Sequence, residues 1–470
     1  MGVRGYDRLS AFDATFLALE DANVHMHVGA VTTFDAGPLT DDAGRLEVDA
    51  IRDVVERALA STPRFRQKLA DVPVFAHPVW VDDERFNLAY HVRHAALPAP
   101  GDERQLKRLA GRILSQKLDR GRPLWEVWVI EGLDQHRFAL VAKAHHCMVD
   151  GIAGLDLITA MLQLEPGRPT HEPDEWSPRP TVSGARLFSD EVRHRAALPL
   201  SLLKTGGRLL TEPQEVAQGV GRSLRGVGEI LRAGLDRATE SPLNQAVGPF
   251  RRFDWVSTPL EEISEIRARF GGTINDVALA TAAGTIRDHL RRHGQPLDNE
   301  SFRVQVPMST RSADEEGVVG NRVALLIAPL PVAEPDPVER LRRVCEITSE
   351  VKQSNQQIGL DTIGQVSDRV FPELLVALGR LSIRQRSFNV VITNVPGPRE
   401  PVYLLESQMG DIYPLVPLAS NQSLGIALFS YHGKLQWGFH GDWDAVPDLH
   451  DLVEGVDRHF TALRDRARAA

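Results

Sequence analysis

Cysteine is scarce in this sequence, and long apolar runs are missing. The 470 residues include two cysteines, Cys147 and Cys345, and neither belongs to a C-x-x-C pair. This excludes a disulfide framework and a paired-thiol zinc or redox site, and it favours a reducing compartment such as the cytoplasm. No stretch of about 18 apolar residues is present, and the first residues lack the pattern of a secretion signal. We therefore expect any membrane contact to be peripheral.

Basic residues are outnumbered by acidic ones. The chain has 54 Lys and Arg against 63 Asp and Glu, a net charge of -9 at pH 7. This sign disfavours broad binding to a phosphate backbone, so nucleic acid is not expected as a partner. With 42% apolar and 25% charged residues, the composition is that of an ordinary globular protein. The length suits two domains better than one.

Several common catalytic motifs are also missing. The sequence contains no G-x-S-x-G elbow, no G-x-x-x-x-G-K-[ST] loop and no H-E-x-x-H helix. It also lacks a G-x-G-x-x-G run after a strand pattern. These absences remove support for α/β-hydrolases, P-loop enzymes, common zinc proteases and dinucleotide-binding domains.

The first 165 residues read as an α/β unit. Apolar residues at three- and four-residue steps indicate helices, and β-prone runs bounded by glycine or polar residues indicate strands. Asp49 is the predicted N-cap of the first long helix. The predicted elements are a strand over Val24 to Phe34, a helix over Asp49 to Ala60, a helix over Glu103 to Leu118, strands over Leu124 to Glu131 and Arg137 to Ala144, and a buried helix over Ile152 to Leu164.

A proline-rich connection follows at Pro166 to Pro180 and predicts a domain boundary. Beyond it, Ala185 to Glu240 is slightly basic and carries an apolar stripe typical of an amphipathic helix. Such a helix could bridge two domains or contact a lipid surface. We accordingly predict an N-terminal domain over residues 1–180, a helical linker over 181–250 and a C-terminal domain over 251–470.

The second half has a similar order of elements. Capping patterns predict helix starts at Thr258-Pro259, at Thr273 and at Asp336-Pro337. Glycine pairs or single glycines predict helix ends, and His432-Gly433 predicts a hairpin turn. The predicted strands are Phe302 to Met308, Val323 to Leu330, Asn389 to Asn394, Leu424 to Tyr431 and Leu435 to Phe439.

One run of residues stands out for its chemistry. His145-His146-Cys147-Met148-Val149-Asp150-Gly151 places a histidine pair at the end of a predicted strand, followed by an acid and a glycine. A histidine in such a position is largely neutral near pH 7, with a reference pKa of about 6.5, and can act as a general base. Taken alone, the run is equally compatible with a buried core histidine and a helix-capping aspartate. A nucleophilic Cys147 has less support, because nothing nearby is seen to stabilise its thiolate.

With this run in place, the sequence resembles the bacterial wax ester synthase/acyl-CoA:diacylglycerol acyltransferase family. The run matches the H-H-x-x-x-D-G signature of that family in full. Further agreement is spread over most of the chain, although Thr393 stands where relatives have serine. The agreeing stretches are Leu9 to Glu20, Met26 to Gly29, Pro123 to Glu126, Asn275-Asp276 and Thr393 to Pro398.

The resemblance implies a fold, a reaction and roles for residues. The fold would be α/β, with two chloramphenicol-acetyltransferase-like domains and an active-site tunnel at their interface. His146 would be the general base, taking a proton from an alcohol as its oxygen attacks the acyl-CoA thioester without an acyl-enzyme. His145, Asp150 and Gly151 would support the catalytic loop. Asn275 and Asp276 would be structural, holding the second domain against the first.

The family also implies substrates and a location. Long-chain acyl-CoA would be the co-substrate, diacylglycerol or a fatty alcohol the acceptor, and triacylglycerol or wax ester the product. No cofactor or metal is expected. The protein would be cytoplasmic and peripherally associated with membranes or lipid droplets. Two alternatives stay open: an acyltransferase for a polyketide diol or another complex lipid, and a non-catalytic lipid-surface protein on the same scaffold.

Overall fold

The computed structural model describes residues 5–74, 78–148, 156–168, 176–193, 238–297, 302–309, 323–353 and 386–469. The apolar stripe predicted within Ala185 to Glu240 lies outside these residues, although residues 184–193 are helical. Asp150 and Gly151 also lie outside them. The described part is mixed α/β, as predicted, with two six-stranded sheets and one three-stranded sheet.

The N-terminal sheet contains the strand that carries the histidine pair. Strand β7 (Arg137–His145) lies between β2 (His27–Asp35) and β6 (Trp125–Leu133), and pairs antiparallel with both. At one edge of the sheet, β5 (Val92–Ala96) runs parallel to β6. The first half also contributes helices α1 (Ala11–Leu19), α2 (Val48–Ser61), α3 (Leu88–His91), α4 (Glu103–Leu114) and α5 (Asp156–Met161).

A small sheet lies beside this unit, built from β1 (Asp7–Arg8), β3 (Gln67–Ala70) and β4 (Val79–Asp82). Arg179, near the end of the proline-rich connection, binds the connection to this sheet. Its guanidinium donates to Asp7 at 3.0 Å and to Asp82 at 2.8 Å. The connection is therefore anchored to the N-terminal unit at Arg179.

The C-terminal sheet contains β8 (Arg251–Pro259), β9 (Arg303–Ser309), β10 (Val323–Pro329), β11 (Val390–Pro396), β14 (Leu424–Tyr431) and β15 (Lys434–Asp442). Its strand order is β10-β9-β11-β14-β15-β8. Central β11 runs parallel to both of its neighbours, whereas the outer pairs are antiparallel. The helices of this unit are α6 (Leu260–Phe270), α7 (Ile274–Arg292), α8 (Pro337–Gln353) and α9 (Leu449–Ala469).

Two strands from the second half of the sequence belong to the N-terminal sheet. β12 (Tyr403–Leu404) and β13 (Ser407–Leu415) extend that sheet, with β13 antiparallel to β2. The hydrophobic cores of the two units also share residues, because Phe429 and Tyr431 of β14 pack in the N-terminal core. The chain thus crosses between the two units, which couples their packing. The predicted domain ranges stay a prediction.

Two predicted helix caps are wrong. Asp49 lies inside the first turn of α2, and its carboxylate pairs with Arg52 at 2.7 Å instead of capping the helix. Thr258 is a buried residue of β8, which runs on to Pro259, and α6 begins directly after it at Leu260. Strand pairing with β15 therefore outweighs the local capping pattern at this site.

Two predicted helix ends are wrong as well, because α4 stops at Leu114 instead of Leu118 and α5 stops at Met161 instead of Leu164. Thr159 and Ala160 of α5 are also exposed, although this helix was predicted to be buried.

Several other local signals are confirmed. Thr273 caps α7 in a reciprocal box with Asp276, and Gly271 ends α6 at a φ of 80°. Asp336 accepts hydrogen bonds from the Val338 and Glu339 amides at the start of α8. The β14–β15 hairpin turns at the predicted dipeptide, where both residues have positive φ.

Candidate active site

β7 ends at His145, whose imidazole is completely buried. Its Nδ1 accepts a hydrogen bond from the Cys147 amide at 3.1 Å, so the proton of the neutral ring lies on Nε2. Burial lowers the pKa of His145 to about 3. The residue is therefore neutral and fixes the turn that follows the strand.

His146 begins a short 3₁₀ turn over His146–Met148 and is partly accessible. Its amide donates to the Met26 carbonyl at 2.9 Å, and its ring stacks on Phe16 of α1 with centroids 3.8 Å apart. Burial lowers the pKa of His146 to about 4, well below its usual range. A neutral imidazole with an accessible edge is the protonation state that a general base requires at pH 7.

Glu20, just beyond α1, lies behind this pair. Its side chain is 1% exposed and accepts from Arg120 at 2.7 Å, with Lys117 at 3.5 Å. Oε1 is 3.9 Å from His145 Nε2, close enough for attraction but too long for a hydrogen bond. Burial is the largest influence on Glu20 and raises its pKa. Its two basic neighbours, Arg120 and Lys117, act in the opposite direction and favour the carboxylate.

Further histidines gather where the two units meet. His27 pairs directly across from His145 on β2, and its ring lies 5.4 Å from that of His25. His440 approaches from β15 and donates to the Val416 carbonyl at 2.8 Å. Burial lowers the pKa of His25 to about 4 and of His440 to about 3, and that of His27 falls well below its usual range. The region is thus lined by neutral imidazoles.

Asp276 is a structural residue of the C-terminal unit. Its Oδ2 accepts from the Thr273 amide at 2.8 Å, and its Oδ1 accepts from the Thr348 hydroxyl at 2.8 Å. Asn275 lines a mostly apolar cavity between α7, α8 and the β9–β10 pair. In the described part of the chain, the contacts of Asp276 lie within its own domain, so they join α7 to α8 and not one domain to the other.

Two other stretches that resemble the family are structural. Trp125 is buried, donates from Nε1 to the Phe65 carbonyl at 2.7 Å and stacks on His91. After β11, the chain passes Gly397, where an added Cβ would lie 2.2 Å from the Phe429 ring. A side chain there would collide with β14, which explains the glycine.

Reasoning from the sequence missed three neighbours of the histidine pair: Phe16, Glu20 and His27. Each lies in a stretch that resembles the family, and this resemblance could have identified them as residues near the site. Their proximity depends on α1 and β2 packing against the end of β7, more than 100 residues later. Asp150 and Gly151 are outside the described residues, so their predicted supporting roles stay predictions.

The two sheets and the histidine pair at a strand end define a CoA-dependent acyltransferase fold. Starter condensation domains of rhizomide synthetase share this fold, with a TM-score of 0.56 at 12% identity over 99% of this chain and 95% of that one. A wax ester synthase/diacylglycerol acyltransferase from Marinobacter aquaeolei matches with a TM-score of 0.71 at 26% identity, covering 98% of this chain and all of the other.

Sequence comparison identifies the family. The wax ester synthase/diacylglycerol acyltransferase catalytic domain matches residues 9–278, and the C-terminal domain of the same family matches 319–464. A probable diacylglycerol O-acyltransferase, tgs1 of Mycobacterium tuberculosis, is 34% identical over 462 residues, covering 96% of this chain and 94% of its own. The chain belongs to the wax ester synthase/diacylglycerol acyltransferase family and is an enzyme of the acyltransferase class.

Proposed function

We propose that this enzyme transfers a long-chain acyl group from acyl-CoA to the free hydroxyl of diacylglycerol, and also to long-chain alcohols. The products are triacylglycerol and wax ester. The observation that carries the proposal is His146, a neutral and partly accessible imidazole at the strand end where the family signature begins. The similarity to a probable diacylglycerol O-acyltransferase and to a wax ester synthase/diacylglycerol acyltransferase supports the acceptors.

In the proposed reaction, the imidazole of His146 takes the proton of the acceptor hydroxyl. The alcohol oxygen attacks the thioester carbonyl, the carbon–sulfur bond breaks, and the proton passes from the imidazolium to the departing CoA sulfur. The new bond is the ester carbon–oxygen bond, and no covalent acyl-enzyme forms. Nδ1 of His146 is buried, so we assign the base to Nε2, the other ring nitrogen.

The neighbouring residues are unsuited to the same task. His145 is fully buried, and its Nδ1 already accepts a hydrogen bond from the Cys147 amide. Cys147 is buried too, and burial raises the pKa of its thiol well above the usual range, which disfavours the thiolate. His145 therefore supports the turn, and we propose that Asp150 and Gly151 do so as well.

We further propose that the substrates meet in a tunnel between domains near residues 1–180 and 251–470, with the segment between them as a helical linker. No cofactor is needed, because acyl-CoA is itself a co-substrate. No helix in the described ranges has both the length and the apolar character needed to cross a bilayer. We propose a cytoplasmic enzyme that associates peripherally with membranes or lipid droplets.

The test is an assay with radiolabelled palmitoyl-CoA in parallel reactions containing diolein, hexadecanol or no acceptor. We expect labelled triacylglycerol with diolein, a smaller amount of wax ester with hexadecanol, and no ester without acceptor. If protein shown to be folded by circular dichroism formed no ester with diolein and none with hexadecanol, the proposed substrates would be wrong. Labelled ester on an added long-chain diol alone would favour the complex-lipid alternative.

A further inference from the structure

Outside the active site, two histidines and an aspartate meet at the end of α7. His289 lies in the last turn and His293, four residues on, is the C-cap residue directly after the helix, so the two rings lie on one face. Their ring centroids are 4.3 Å apart. Asp448, directly before α9, brings its Oδ2 to 3.1 Å from His289 Nδ1. One ligand atom from each of the three residues lies within 4.8 Å of the other two.

We infer that His289, His293 and Asp448 form a binding site for a divalent transition-metal ion such as Zn²⁺. Two imidazoles and a carboxylate are a donor set typical of such ions. In the structure His289 Nδ1 donates a hydrogen bond to Asp448 Oδ2 at 3.1 Å. Ligand atoms about 2.0 Å from a tetrahedral metal lie roughly 3.3 Å apart, so a metal ion that replaces this proton needs little movement of the two side chains. Three protein ligands leave a position for water.

An unsatisfied oxygen supports the site independently. Oδ1 of Asp448 is buried and has no hydrogen-bond donor among the described residues. A buried carboxylate oxygen without a donor is costly, and a bound cation would relieve that cost. His289 is completely buried, whereas His293 is exposed, so the site has both an anchored ligand and a path from solvent.

The charges around the site are compatible with a cation. The carbonyl end of a helix carries a partial negative charge, and the site lies at that end of α7. Arg292 is the competing cation, with Nη1 3.9 Å from Asp448 Oδ2, but it also pairs with Asp451. Its side chain is 38% exposed and can keep the Asp451 pair while a metal takes Asp448.

The inferred metal would be structural. It would link the end of α7 to the start of α9, two helices that pack side by side against the C-terminal sheet. None of the three ligands takes part in the chemistry proposed for His146. The inference therefore goes beyond the proposed function, and its test needs no substrate.

The test counts bound zinc in full-length protein that has first been stripped with a chelator. After equilibrium dialysis against Zn²⁺, we expect His293→Ala to bind one equivalent less than the wild type. His293→Cys should retain that equivalent, because a thiolate is also a zinc ligand. His136→Asn, which changes an exposed histidine in the turn after β6, is the matched control and should match the wild type.

Thermal unfolding gives a second measurement. Zinc should raise the unfolding midpoint of the wild type and of His293→Cys above that of the metal-free proteins, because a ligand that binds only the folded state stabilises it. The midpoint of His293→Ala should not rise in this way. Equal zinc binding and equal midpoint shifts in wild type and His293→Ala would overturn the site. Since His293 is exposed, we expect the alanine variant to fold.

Discussion

At the scale of single residues, burial decides the chemistry of the histidine pair. His145 and His146 are adjacent in sequence, yet one is locked by a backbone hydrogen bond and the other keeps an accessible edge. The sequence predicted the pair and its position at a strand end. It could not predict the pKa values, because the groups that desolvate the rings, such as Phe16, come from elements distant in sequence.

The lowered pKa of His146 predicts that the enzyme keeps its activity at mildly acidic pH. With a pKa of about 4, about nine-tenths of the free enzyme has a neutral base at pH 5, whereas a reference pKa of about 6.5 leaves only about 3% neutral. We expect kcat/KM to hold its value from pH 7.5 down to about pH 5 and to fall below that. The measurement is a pH profile of kcat/KM, with folding checked at each pH by circular dichroism. A loss of about eightfold between pH 7 and 5.5 in folded enzyme, as an imidazole with the reference pKa of about 6.5 would give, would contradict the lowered pKa of His146.

At the scale of elements, patterns of neighbouring residues predicted several helix starts and ends, but they missed a strand whose pairing partner is distant in sequence. The capping box of Thr273 and the start of α8 after Asp336 depend on neighbouring residues, and both are confirmed. β13 was missed because its partner β2 lies nearly 400 residues earlier. The position of β13 in the N-terminal sheet thus depends on pairing between distant parts of the chain, which no local pattern indicates.

The capping box of α7 gives a prediction about stability. Asp276→Ala removes the acceptor of the Thr273 amide and leaves the Thr348 hydroxyl without its carboxylate. We expect a loss of roughly 2–3 kcal/mol in the free energy of unfolding, combining a lost cap with a lost buried hydrogen bond. Urea unfolding provides the measurement.

Asp49→Ala is the control for this experiment. Asp49 occupies the first turn of another helix, but its carboxylate is 91% exposed and pairs only locally with Arg52. An exposed pair of this kind contributes little to stability, so the unfolding free energy should change by less than about 0.5 kcal/mol. If the two variants were equally stable, the structural role given to Asp276 would be wrong.

At the scale of the whole molecule, the enzyme holds several neutral histidines that are fully or partly buried. Burial lowers the pKa of each of them in the folded protein, so between about pH 6.5 and pH 4 the unfolded chain binds more protons than the folded one. The free energy of unfolding must therefore fall as the pH falls through this window. The histidines are His25, His27, His91, His145, His146, His289 and His440.

We expect urea unfolding to show progressively lower midpoints at pH 6.5, 5.5 and 4.5. His91→Phe should reduce this dependence, because it removes one titrating ring while keeping an aromatic group against Trp125. His136→Asn, an exposed substitution, should leave the dependence of the wild type unchanged. Constant stability from pH 7 to pH 4.5 would show that the buried histidines are not neutral in the folded state.

We propose His146 as the general base and His145 as the residue that supports its turn. The most direct measurement is the turnover of purified, folded His146→Ala and His145→Ala with palmitoyl-CoA and diolein, beside the wild type. Losing a general base typically costs about two to four orders of magnitude in rate, so His146→Ala should lose about that much while still binding acyl-CoA. His145→Ala should lose less. Near-wild-type turnover by folded His146→Ala would show that His146 is not the general base.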